Sequence, residues 1–104
     1  MNVMSEPELE AEIQAKGLNA PRLTPADIDT AIKYVEYWVV PNTTTTVCAM
    51  ILQNNYVLTG TSAAASMANF DQEIGRNIAY GNAREQIWHL EGYLLKQKLH
   101  EQGN

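Results

Sequence analysis

Along the last third of the chain, apolar residues return mostly at steps of three or four: Phe70, Ile74, Ile78, Ile87, Leu90, Leu94 and Leu95. That is the repeat of one helix face, and it predicts helical structure from about 70 to 99 with these side chains turned to the core. Asn69 suits the N-cap, Asp71 and Glu73 put negative charge in the first turn, and Lys96 and Lys98 lie at the far end, as the helix dipole favours. Gly81 and Gly92 interrupt the run, each at a cost of about 1 kcal/mol relative to alanine. The pattern therefore allows one bent helix or two helices meeting near residues 88–92.

Two shorter helices are predicted upstream. Ser5 followed by Pro7 and Glu8 is a capping-box start, Gly17 is a stop, and the helix between them spans about 5–16. Leu9 and Ile13 give it only a narrow apolar stripe, so residues 1–20 read as a helical arm beside a compact core of 21–104, either mobile or, the favoured alternative, docked on a second subunit. Thr24, Pro25 and Asp27 start a second helix over about 25–34, with Ile28, Ala31 and Ile32 on its buried side.

From Val35 the period becomes alternating and the β-branched and aromatic content rises, in YVEYWVV, TTTTVCAMIL and YVLTGTSA. Pro41-Asn42 and Asn54-Asn55 separate the three runs, and the second pair suits a tight hairpin because asparagine tolerates positive φ. A three-stranded antiparallel meander over roughly 35–62 follows, giving an α+β domain with N-terminal helices and a long C-terminal helical cover. In the middle strand Val47, Ala49 and Ile51 share one face and Cys48, Met50 and Leu52 the other. Both faces are apolar while one helix covers only one of them, so a homo-oligomer is expected, with Trp38, Val39 and Val40 in the contact.

At 104 residues and 45% hydrophobic content the chain is one globular domain. Its net charge is −5, with Glu6, Glu8, Glu10 and Glu12 set against Lys16 near the start. No basic cluster suited to duplex DNA is present. No apolar run reaches the ~18 residues needed to span a bilayer, and the first residues lack the basic and apolar regions of a leader, so a cytoplasmic protein is expected. The lone Cys48 reads as a buried free thiol, and its spacing from His89 and His100 suggests no zinc site.

The segments LTPADI, TTTTVCAMILQNNYVLTG, ANFDQEIGRNIA and IWHLEGYLL resemble the gene-product 49/66 family of small phage and prophage proteins, over roughly Arg22 to Leu99. NFDQEIGR and the IWHLEGYLL run are the most specific pieces. This chain has His89 where many members have proline, and Asn54-Asn55 where many have Asn-Gly. The resemblance implies a phage or prophage gene and no reaction. In size and element order, though not in an alignable motif, the chain also resembles the first class of Thoeris anti-defence proteins. Those are small oligomers that sequester cyclic ADP-ribose isomers, some also binding cyclic oligonucleotides; no binding residue carries over.

No Ser-His-Asp set, P-loop, Rossmann glycine pattern, HExxH or paired-cysteine motif occurs, so the expectation is a protein that is not an enzyme and has no cofactor or metal. The candidate ligand-binding residues are Asn69, Phe70, Arg76, Arg84 and Trp88. Arg76 and Arg84 stand two helical turns apart with Tyr80 and Trp88 nearby, and Asn69 and Phe70 adjoin the small polar loop TSAAAS. Guanidinium groups pair bidentately with phosphate and aromatic rings stack on bases, which points to a small phosphorylated nucleotide as ligand. The plainer account pairs Arg76 with Glu73 or Tyr80 and buries Trp88. Two other classes stay open: a regulator that blocks a host protein through its acidic arm, and a structural accessory protein.

Overall fold

The computed structural model describes residues 4–18 and 20–103. They form α1 (Glu6–Ala15), α2 (Pro25–Ala31), strands β1 (Ile32–Val39), β2 (Thr45–Leu52) and β3 (Val57–Ala63), a single 3-10 turn (Met67–Asn69) and α3 (Gln72–Glu101). The sheet is an antiparallel meander of order β1-β2-β3, and the α+β class follows as expected.

Both short helices begin with the capping boxes written in the sequence, Ser5 with Glu8 and Thr24 with Asp27, each followed by proline in the first turn. The β2–β3 hairpin forms at Asn54-Asn55, but as a three-residue connection. Asn55 N–H donates to Leu52 O and only Asn55, at φ 70°, is left-handed, while Asn54 Oδ1 accepts from Tyr56 N–H. Asn42, at φ 61°, follows Pro41 in the tight β1–β2 turn closed by Thr43 N–H on Val40 O.

Three boundaries differ from the expected ones. α2 stops at Ala31 and the sheet begins at Ile32, three residues before Val35. Here the β2–β3 turn captures the end of the helix: Gln53 donates from its backbone to Ala31 O and from its side chain to Thr30 O and Ile32 O. A register shift between Ile32 and Tyr34 then restores the alternation. α3 is capped by Asp71, whose carboxylate accepts from Ile74 N–H, while Asn69 sits in the preceding 3-10 turn. The 30 residues of α3 form one continuous helix across Gly81, Trp88 and Gly92.

The helix meets the sheet through small residues. A Cβ built on Gly60 of β3 would land inside the backbone of Ala79 and Ala83, and one on Gly75 would come 2.8 Å from Thr46 Oγ1. Gly75, Ala79, Ala83 and Ile87 are thus the seam, and Ile74 and Ile78, expected in the core, lie one position off it and are exposed, as are Leu90 and Leu94. Around the seam Ile28, Cys48, Met50, Leu52, Leu58 and Ile87 form the core. Thr46 is fully buried beneath Gly75 with its hydroxyl unpartnered, and Ser62 Oγ donates to Gly75 O at 2.6 Å.

Strand register carries Val35, Tyr37 and Val39 to the helix side with Thr46, Cys48 and Met50, and turns Tyr34, Trp38, Val47, Ala49, Ile51 and Val57 to the other. Nothing among the described residues covers that second face, where Trp38 is 59% and Tyr34 and Val57 each 51% exposed. No helix among the described residues is long and apolar enough to cross a membrane.

The seam yields a paired prediction. Gly60→Ala forces the helix off the sheet and should cost about 3 kcal/mol, lowering the melting temperature by more than about 10 °C. Gly81→Ala meets open space on the outer side of α3 and should instead stabilise by up to about 1 kcal/mol. Thermal denaturation followed by circular dichroism checks both, and equal melting temperatures for the two variants would refute the close seam.

Candidate functional site

α3 carries Arg76, Tyr80, Arg84 and Trp88 at successive steps of four, one stripe beside the seam, directed past β1 toward α2 and α1. Arg84 is its centre. The Arg84 side chain is only 11% exposed, and its guanidinium donors are divided among partners on three elements. Nε donates to both carboxylate oxygens of Glu6 at 2.9 and 3.1 Å, and Nη2 to Glu6 Oε1 at 2.9 Å and Pro25 O at 3.2 Å. Nη1 donates to Asp29 Oδ1 at 2.7 Å and weakly to the Tyr80 hydroxyl at 3.4 Å.

Trp88 adds a third donor to the same carboxylate, from Nε1 to Glu6 Oε2 at 3.0 Å. It is half-buried and forms the floor of a cleft of about 360 Å³ between α1 and α3, walled by Leu9, Ile13, Leu23 and Pro25. A second fork holds α1 one turn further along the same face, with Arg22 Nη1 and Nη2 on the two oxygens of Glu10 at 2.7 and 2.8 Å.

The electrostatics follow from these contacts. The hydrogen bonds from Arg84, aided by Trp88 and opposed by partial burial, hold the Glu6 carboxyl below its ordinary range. Arg22 and then Gln14 lower Glu10 to about 2. Glu6 and then Asp29 raise the Arg84 guanidinium, against the opposing effect of burial. In the sheet, burial pushes both Tyr37 and the Cys48 thiol up.

The five candidate residues fall into three places. Arg84 and Trp88 converge on one anion. Arg76 lies about 12 Å further toward the helix start, where its guanidinium sits over the Tyr37 ring, 5.7 Å from the centroid, and has no carboxylate partner among the described residues. Asn69 and Phe70 line a small cleft at the beginning of α3 with Thr44, Ala64 and Ile78. Asn69 and Phe70 themselves lie more than about 20 Å along the axis from Trp88. Glu6 and Asp29 belong to the site and were not among the candidates. In the sequence Glu6 counts only toward the acidic balance near the start, and no local spacing links it to an arginine 78 positions away.

Because folded Glu6 and Glu10 have depressed pKa values, the stability they contribute is fully present above the ordinary carboxyl value of 4.5 and is lost as pH falls below it. α1 should stay docked at about pH 5 and detach as pH drops from 4.5 toward about 2. A released helix of 10 residues is unstable alone, so hydrogen exchange should show α1 amides losing protection before those of β2. Simultaneous loss in both would refute the clasp.

Residues 23–99 match the model of the phage protein (N4 Gp49/phage Sf6 gene 66) family. No curated protein and no solved structure matches the chain. The matched span contains α2, the meander and α3 up to Leu99, including Arg84 and Trp88, and leaves α1 and Arg22 outside.

Proposed function

The chain belongs to that phage protein family, and we propose that it is a non-catalytic binding protein that holds a small phosphorylated nucleotide and keeps it from a host response. The observation that carries this reading is the convergence of Arg84 Nε, Arg84 Nη2 and Trp88 Nε1 on one oxyanion, the Glu6 carboxylate. A guanidinium fork that accepts a carboxylate accepts a phosphate in the same plane. Arg76, one stripe position beyond Tyr80, offers a second cation, and the Trp88 ring an apolar surface for a base. The resemblance to Thoeris anti-defence proteins in size and element order favours a cyclic ADP-ribose isomer or a cyclic oligonucleotide as the ligand, with sequestration as the outcome.

Each charge-assisted contact contributes about 1.5–3 kcal/mol, so two arginines and one ring supply a large share of the ~8 kcal/mol that micromolar binding needs. A thermal-shift panel of cyclic nucleotides and ADP-ribose isomers should find a stabilising ligand. In calorimetry the Arg76→Ala, Arg84→Ala double variant should bind that ligand at least about tenfold more weakly, a loss of about 1.4 kcal/mol. Unchanged affinity in the double variant would refute the site, and no response across the panel would refute the nucleotide reading.

The open sheet face favours a second reading, a regulator that binds and blocks a host protein. Trp38, Tyr34 and Val57 are large, exposed and contiguous with Val47 and Ile51, which is the composition of a contact surface. In the first reading the same face joins two copies of the chain. Light scattering at micromolar concentration should then give a multiple of the chain mass, and Trp38→Glu should give the single-chain mass with the sheet intact. A parent protein that is monomeric would favour the regulator.

A further inference from the structure

α1 is held almost entirely by its charged groups. None of its residues is buried, and Leu9, on its inner stripe, is still 46% exposed. A cleft separates it from α3, bridged by the Glu6 contacts to Arg84 and Trp88, while the Glu10 fork ties it to Arg22. At its end Gly17 has φ 65° and nothing within 4 Å of where a Cβ would be, so the chain turns there into open space. The partners Glu6 finds on α3 lie inside the family-matched residues, whereas α1 itself lies outside them.

Charge makes the arrangement exclusive. Glu6 and Asp29 both contact Arg84, so the cluster already carries one more negative charge than positive. A phosphate brought to the same donors would meet two carboxylates for one guanidinium. It can enter only when Glu6 leaves.

We propose that α1 is a tethered plug, its Glu6 carboxylate standing in for the phosphate of a ligand on Arg84 and Trp88, and that ligand binding and α1 docking are mutually exclusive. This rests on the reading of Arg84 and Trp88 as a phosphate site. Tethering through a short linker gives Glu6 an effective concentration on the order of millimolar. A ligand must therefore add something beyond one phosphate, a second phosphoryl group or contact with the Trp88 ring, to displace it. The plug thereby screens out inorganic phosphate and simple carboxylates.

The test uses the full chain, its Glu6→Gln variant, and pyrophosphate as probe. In Glu6→Gln, hydrogen exchange at α1 should rise to that of an unprotected segment while β2 stays as protected as in the parent, which also reports that the fold is kept. Pyrophosphate should bind Glu6→Gln at least about tenfold more tightly than the parent, since the tethered competitor is gone. In the parent, saturating pyrophosphate should release α1. The Glu12→Gln variant, which removes only the surface pair with Lys16, should behave as the parent in both measurements. Protection of α1 in Glu6→Gln equal to that in the parent, or equal pyrophosphate affinity in the two, would overturn the plug. A plug that passes these tests in a protein that ignores the nucleotide panel would leave the anion site standing and remove the nucleotide from it.

Discussion

The closeness of α3 to the sheet governs the rest of the molecule. With Gly60 below and Ala79 and Ala83 above, backbone meets backbone, and the space usually filled by large side chains between a helix and a sheet is absent at that crossing. The larger core residues are displaced toward the end where α2 closes the layer, among them Ile28, Met50, Leu52, Leu58 and Ile87. So thin a core gains its stability from dispersion contact along the seam rather than from volume, and tolerates little change in size there. The same closeness seals Thr46 beneath Gly75, where its hydroxyl finds no partner, an energetic cost accepted next to the tightest part of the seam.

Features coded by short-range chemistry were legible in the sequence. Ser5 with Glu8, Thr24 with Asp27 and the Asn54-Asn55 turn all use partners within a few residues, and the alternation of β2 put Cys48, Met50 and Leu52 on the face that the helix covers. Where the sequence misled, a more distant partner or a smaller residue decided. Gln53 ended α2 from 22 positions beyond its last residue. Ile74 and Ile78 advertised a core face, yet glycine and alanine one position along made the closer contact, because what a helix can approach depends on what the sheet presents. Asp71 displaced Asn69 as cap since the 3-10 turn delayed the start of the helix. Within the candidate site, the stripe of Arg76, Tyr80, Arg84 and Trp88 could be read from its spacing. Its principal partner, Glu6, could not.

The two sides of the layer are consequently unlike. One side of the sheet lies under α3, and the stripe beside the seam gathers the arginine chemistry where α1, α2 and α3 approach one another. The opposite side is a flat array of aromatic and β-branched residues along β1, β2 and β3, with Glu36 its one charged group on β1. Changes to Arg84 or Glu6 act through helices, changes to Trp38 through the sheet, and the rigid seam lies between them. This separation lets the open sheet face and the Arg84 cluster be altered independently.

The Glu6 to Arg84 contact also has a history within each molecule's own synthesis. The two residues stand 78 positions apart, whereas the meander pairs neighbouring strands and α3 follows directly. As the chain leaves the ribosome, Glu10 soon finds Arg22 within reach, but Glu6 has no Arg84 to meet until the middle of α3 has been made. The Glu6 contacts to Arg84 and Trp88 are the longest-range side-chain hydrogen bonds among the described residues, and closing loops of that length is entropically demanding. The meander and α3 contact each other without Glu6, so the docking of α1 on α3 is the one arrangement that waits on the whole length of chain between Glu6 and Arg84.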